Sequence, residues 1–110
     1  MVLSNTLRTG VIGLAKTLSR ELAVDRIRVN TVLPGAILTD RLRQNMAALA
    51  EKAGKPVEEV LRQQEADIPL GRIGRPEEVA SMVVFLASGR ADYVTGATVQ
   101  VDGGLVKSLM

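Results

Sequence analysis

RVNTVLPGAILTD, residues 28–40, carries the chain out of a strand, through a turn and into a helix. The apolar, β-branched run 27–33 predicts the strand. Pro34-Gly35 ends it, because proline donates no ladder hydrogen bond and glycine turns readily. Ala36-Ile37-Leu38-Thr39-Asp40 then ends in a good N-cap residue ahead of a new amphipathic stretch. Strand, Pro-Gly turn and helix start make an α/β unit, and in open α/β sheets ligands lie where such strands end.

Working outward, Leu3, Leu7, Val11, Leu14, Leu18 and Leu22 recur at helical spacing upstream of this stretch and predict one long amphipathic helix. Beside that row run Gly10, Gly13 and Thr17, small residues that cost helix propensity and mark a packing face, with a second copy of the chain as one candidate partner. Lys16, Arg20 and Glu21 fall off the apolar face and read as solvated. Downstream, Leu42, Met46 and Leu49 predict a helix that Gly54 ends. Pro56, Glu58 and Glu59 open another, with Val57, Val60 and Leu61 along one side. Together residues 39–67 form a helical hairpin that is either a lid over a pocket or plain surface padding.

Residues 68–76 are a loop punctuated by glycine, proline and arginine. Pro76-Glu77-Glu78 starts a further helix, and residues 79–87, apolar almost all round, predict that it is deeply buried. Ser88-Gly89-Arg90 ends it. Residues 97–101 alternate as a second strand, closed by Asp102-Gly103-Gly104.

Composition narrows the function. A chain of 110 residues that is 46% hydrophobic and 24% charged fits a globular domain. It has neither cysteine nor histidine, so disulfides, thiolate or imidazole metal sites, and Ser-His or Cys-His catalysis have no residues to work with; no metal site is expected. Net charge is +2, basic residues are dispersed and aromatics make up 2%, which argues against nucleic acid as a partner. The pI near 9.4 reflects only that small surplus. No apolar run is long enough for a membrane span and the first residues lack a signal-peptide pattern, so no membrane association and a cytoplasmic location are expected.

Strands separated by helices should run parallel through right-handed crossovers, yet two strands cannot cover the faces and edges of a parallel sheet. The expected fold class is therefore α/β, the C-terminal part of a Rossmann-type doubly wound parallel sheet with two strands and about five helices. Residues 1–110 form a single partial domain in this reading.

Four segments carry a family resemblance: GVIGLAKTLSRELA (10–23), IRVNTVLPGAILTD (27–40), PLGRIGRPEEVASMVVFLAS (69–88) and YVTGATVQVDGG (93–104). In this order they resemble the C-terminal half of short-chain dehydrogenases/reductases, close to the 3-oxoacyl-acyl-carrier-protein reductase-like branch. The resemblance implies that Pro34 and Gly35 form a turn against the nicotinamide end of NAD or NADP, that backbone groups at Ile37 hold the carboxamide, and that the Thr39 hydroxyl reaches the cofactor. On spacing alone, Pro34-Gly35 as a plain turn and Thr39 as a plain N-cap are the commoner explanations.

The departures from the family pattern are chemical. The Gly-rich dinucleotide fingerprint is missing, since Gly71 and Gly74 have the wrong spacing and context. Aligned on GVIGLAKTL, the family's Tyr-x-x-x-Lys pair falls on Ser4 and Arg8, the candidate catalytic positions. A serine hydroxyl is a far weaker acid than a phenol, although an arginine one helical turn away could stabilise negative charge. The alternative is a serine at a helix start and a solvated arginine. Tyr93, the one tyrosine, has Ala97 four places on and does not restore the pair.

The resulting expectation is a C-terminal segment of an NAD(P)-dependent oxidoreductase, inactive alone, carrying the nicotinamide-side turn, a substrate lid at 39–67 and subunit-pairing elements. Its partners would be a second copy or an N-terminal half, and in the parent enzyme a small carbonyl or alcohol substrate. The rival expectation is a non-catalytic assembly module that associates with itself or with a full-length relative.

Overall fold

The computed structural model describes the backbone of residues 2–106 and the side-chain surroundings of residues 6–106. Helix α1 spans Val2–Leu22, strand β1 Thr31–Pro34, helix α2 Asp40–Ala53, helix α3 Val57–Ala66, helix α4 Pro76–Ala87 and strand β2 Thr98–Val101, with short 3-10 turns at Ala23–Asp25 and Gly89–Ala91. Among the described residues the helical content resolves into four α-helices and two 3-10 turns.

β1 and β2 form a two-stranded sheet. Gly96 N–H donates to Val29 O, Thr31 N–H to Ala97 O and Gly35 N–H to Val101 O, a register that advances in the same direction on both chains, so the pair is parallel. Thr31 and Gly35 both aim their N–H groups at β2. By the two-residue period, the N–H that Pro34 lacks would point to the opposite edge, which is why proline costs this ladder nothing. The strand is shorter than the expected 27–33. At its start Val29 N–H bonds to the Thr95 hydroxyl and the Asn30 Oδ1 accepts from Ala97 N–H, so side chains take ladder positions that backbone would otherwise fill.

The chain divides into two units. One gathers the chain up to Leu33 with Met82–Val99. Here Arg28 donates to Leu86 O at 2.7 Å, to Ser88 O at 3.2 Å and to Val94 O at 3.3 Å, so a cation sits on the open carbonyls at the C-terminus of α4. α1 makes a close approach within the chain at Ser19, which is 4% exposed. A β-carbon on Gly96, whose φ is +71°, would lie 2.8 Å from the Ser19 hydroxyl, and Lys16 Nζ donates to Gly96 O at 3.3 Å. At Gly10 and Gly13 a β-carbon would meet nothing within 4 Å.

α4 is not deeply buried. Leu86 is its one buried residue, while Val84 is 68% and Phe85 45% exposed. A helix that is apolar all round needs neighbours all round, and the other described elements leave most of its circumference open. The apolar row of α1 is open too, with Leu7, Val11 and Leu14 all exposed.

The second unit joins Pro34–Ser81 to the chain from Gln100 onward. Its core is Met46, Ile68 and Ile73, packed by Leu38, Leu42, Val60, Leu61 and Leu105. α2 and α3 pack on one another as the hairpin expected for 39–67. Thr39 is the N-cap of α2, its hydroxyl accepting from Leu42 N–H at 3.2 Å, and Gly54 ends that helix at φ +66°.

Candidate functional site

Pro34, Gly35, Ile37 and Thr39 all lie in the second unit, within one short run after β1. Gly35 is required there by space. A β-carbon would stand 2.6 Å from Asp102 Cβ and 2.8 Å from Asp102 Cα, so only glycine lets the end of β1 lie against the end of β2. Asp102 is itself fixed, its two carboxylate oxygens accepting from Gly104 N–H at 2.9 Å and Val106 N–H at 3.2 Å.

Beyond the turn the chain does not go free. Ile37 and Gly74 form an isolated parallel bridge. Gly74 N–H donates to Ala36 O at 3.0 Å, and Leu38 N–H donates to Gly74 O at 2.8 Å. Alternate residues of an extended segment aim their backbone groups in opposite directions. The N–H and C=O of Ile37 therefore point away from Gly74. The carbonyl accepts from Thr39 N–H at 2.8 Å, whereas the Ile37 N–H has no acceptor among the described residues. The outcome is a donor and an acceptor on one residue, facing the same way at a strand end.

Thr39 has the plain role that the sequence allowed, an N-cap. Accepting from Leu42 N–H uses one lone pair and leaves the hydroxyl proton available for a further acceptor. Cap and cofactor contact are compatible at this residue.

A cleft of about 510 Å³ has Ala36 and Ile37 in its wall, with Leu70, Arg72, Asp102 and Gly103 among the other residues that line it. Besides Asp102, its wall carries an ion pair that the sequence reading passed over. Arg72 grips Glu78 with two hydrogen bonds of 2.7 Å, and the same carboxylate accepts from Arg75 N–H at 3.0 Å. The Arg72 hydrogen bonds, followed by the one from Arg75 N–H, hold the Glu78 carboxyl down at about 2, and the same contact raises Arg72. A signal for this was present: Pro76 at the first helical position with glutamate two residues later places Glu78 where a capping-box acid reaches back to the N-cap N–H.

The candidate catalytic pair lies on a different element. Ser4 and Arg8 stand one turn apart in α1, in the other unit. Arg8 is exposed, and the side chain of Ser4 lies outside the described residues. Among the described residues no three His, Cys, Asp or Glu side chains gather as a metal ion would need, and no helix is long and apolar enough to cross a membrane.

The family model described as enoyl-(acyl carrier protein) reductase, of the short-chain dehydrogenase type, matches residues 3–106. The chain belongs to the short-chain dehydrogenase/reductase family. It is similar to the 3-oxoacyl-[acyl-carrier-protein] reductase of Thermotoga maritima, 46% identical over 99 residues, which cover 90% of this chain and 36% of that protein. Against the 3alpha-hydroxysteroid dehydrogenase of Mediterraneibacter gnavus it is 50% identical over 91 residues, 83% of this chain and 32% of that one. Among solved structures, L-sorbose reductase from Gluconobacter frateurii, complexed with NADPH and L-sorbose, superposes with a TM-score of 0.88 at 36% identity over 96% of this chain and 40% of its own. The chain thus spans about a third of the length of these curated relatives. It is an oxidoreductase-family α/β chain with part of a Rossmann-like fold, as the resemblance implied.

The residues present fit the nicotinamide end of the family's cofactor. A primary carboxamide offers one acceptor and two donors, and the outward N–H and C=O of Ile37 are the matching set. The space that Gly35 leaves keeps this backbone against β2.

Proposed function

We propose that this chain is the nicotinamide-side portion of an NAD(P)-dependent short-chain dehydrogenase/reductase that acts on a small carbonyl or alcohol substrate in the cytoplasm, and that it turns over no substrate by itself. The observation that carries this reading is the Ile37 backbone pair, held outward by the bridge to Gly74 with its N–H open. The bound cofactor would supply the hydride. The chain's own residues would bind and orient it: the Ile37 N–H and C=O take the carboxamide, the Thr39 hydroxyl donates its unused proton, and Pro34-Gly35 sets the turn that aims both. The hairpin of α2 and α3 serves in this reading as the lid that excludes water from the reacting end.

What the chain lacks supports inactivity. No Gly-rich fingerprint is present for the pyrophosphate, and Ser4 with Arg8 stands where the family places tyrosine and lysine. A serine hydroxyl holds its proton too tightly to exchange it with a carbonyl at neutral pH, and Arg8 supplies charge without a proton to give. Calorimetric titration of the purified chain with NADH and NADPH, run beside a turnover assay on keto and hydroxy substrates, tests the reading. Weak binding with protection of the Ile37 amide in hydrogen exchange, and no turnover, is the expected result. Robust NAD(P)-dependent turnover by the chain alone would overturn it.

A second reading, an assembly module without catalysis, is favoured by a different observation. Leu7, Val11 and Leu14 lie along one exposed row of α1, and Val83, Val84 and Phe85 are exposed on α4. Light scattering on the calorimetry sample separates the two: a defined oligomer that binds no cofactor supports the module, and a monodisperse monomer argues against a module that associates with itself.

A further inference from the structure

Nothing in the short loop Arg72-Ile73-Gly74-Arg75 touches a cofactor in the reading above, yet this loop decides which way Ile37 faces. Gly74 contributes both bonds that flank Ile37, to Ala36 O and from Leu38 N–H. The position of Gly74 is in turn set from outside the bridge. Ile73, one residue before, is buried in the core with Met46 and Ile68. Glu78 then holds the loop at both ends with one carboxylate: the Arg72 guanidinium through two bonds of 2.7 Å, and the Arg75 backbone N–H at 3.0 Å. Both bonded ends lie within two residues of Gly74, so movement of either shifts the glycine.

We infer that Glu78 and Arg72 are positioning residues for the cofactor turn: by clamping the loop 72–75 they hold Gly74 in bridge register, and Gly74 holds the N–H and C=O of Ile37 outward. The inference rests on the reading of Ile37 given under Proposed function, but its mechanical part stands apart from it. Gly74 brings only backbone to the bridge; a β-carbon there would lie 2.9 Å from Ile37 Cδ1, the movable end of a side chain. A bare backbone has no side chain with which to anchor itself, and the flanking clamp supplies that anchorage. Glutamine in place of Glu78 keeps the shape and can still accept from Arg75 N–H, while it loses the charge and one of the two acceptors that Arg72 uses. Arg72→Lys keeps the charge and loses the two-pronged grip.

The test is amide hydrogen exchange, read residue by residue on the 110-residue chain, its Glu78→Gln and Arg72→Lys variants, and the charge-swapped double variant Arg72→Glu/Glu78→Arg. In each single variant the Leu38 and Gly74 amides, the two donors of the bridge, should exchange about tenfold faster, while the amides of α2 around Met46 and Ala50 change less than about twofold. The swapped pair should recover part of the lost protection. Unchanged protection at Leu38 and Gly74 in both single variants overturns the inference. So does a loss of equal size throughout α2 and α3, which would make the pair a general support of the unit. NADPH titration of the same samples keeps the two claims apart. If the unaltered chain binds no cofactor while the bridge amides respond as described, the clamp stands and the reading of Ile37 fails; if the chain binds and the variants bind equally well, the clamp is not a positioning device for the cofactor.

Discussion

Gly35 and Asp102 stand so close that no β-carbon fits between them; one placed on Gly35 would lie 2.6 Å from Asp102 Cβ and 2.8 Å from its Cα. The obstacle is the root of a side chain and its backbone, which cannot swing aside as the tip of a leucine can. Gly35→Ala must therefore push the end of β1 away from β2 and strain the bond from Gly35 N–H to Val101 O. A loss of roughly 2 kcal/mol is expected, read from the urea midpoint.

Thr39 separates two roles through its chemistry. Thr39→Val removes the cap of α2 and should cost about 1 kcal/mol, whereas Thr39→Ser keeps the hydroxyl and should cost little. If the hydroxyl also reaches the nicotinamide, the valine variant loses NADPH affinity and the serine variant retains it, as calorimetry would read.

Arg26 is the one residue other than glycine at positive φ among those described, at +61°. It closes the 3-10 turn after α1 in the left-handed region, where a side chain crowds the following carbonyl. Arg26→Gly should raise stability by about 1 kcal/mol, and a lowered thermal midpoint would show that the arginine side chain has an unseen structural use.

Glu78 gives the chain a signature in acid. Its folded carboxyl titrates near 2, below its ordinary 4.5, so the clamp contributes stability at pH values above 4.5 and loses it as pH falls towards 2. The difference in urea midpoint between the unaltered chain and Glu78→Gln should be steady from neutral pH to about 5 and close below that. A difference that disappears above pH 5 would mean that Arg72 does not hold the carboxylate in solution.

The open row on α1 makes assembly testable without a cofactor. Leu14 is 60% exposed, so Leu14→Glu removes little from the fold itself. If the chain self-associates through this row, the variant shifts the light-scattering mass towards the monomer while far-ultraviolet dichroism stays the same.

How far the sequence led differs from element to element. α1, α2, α3, α4 and β2 were legible because periodicity, proline at helix starts and glycine at helix ends are local signals, and they sit where those residues put them. The start of β1 was misread because Val29 and Asn30 look like strand yet find their partners in the Thr95 hydroxyl and in Asn30's own side chain. Depth of burial was not legible at all. Val84 and Phe85 read as core, but burial depends on what surrounds a helix, and that is no property of the helix. At the site, Gly35 and Thr39 were visible as a turn and a cap. The orientation of Ile37 was not, because it is set by Gly74, 37 positions away by number, and nothing in a glycine announces a bridge.

Arg28 is made long before the groups it serves. Leu86 follows it by 58 residues and Val94 by 66. At the usual pace of synthesis, about 5–20 residues per second, the guanidinium waits roughly 3–12 seconds for its first carbonyl. During that interval the segment containing Met46, Ile68 and Ile73 is complete and can gather its own core. The order of synthesis thus lets the first part of the second unit gather before Arg28 finds its carbonyls, while Asp102 and Leu105, against which that unit closes, come later still.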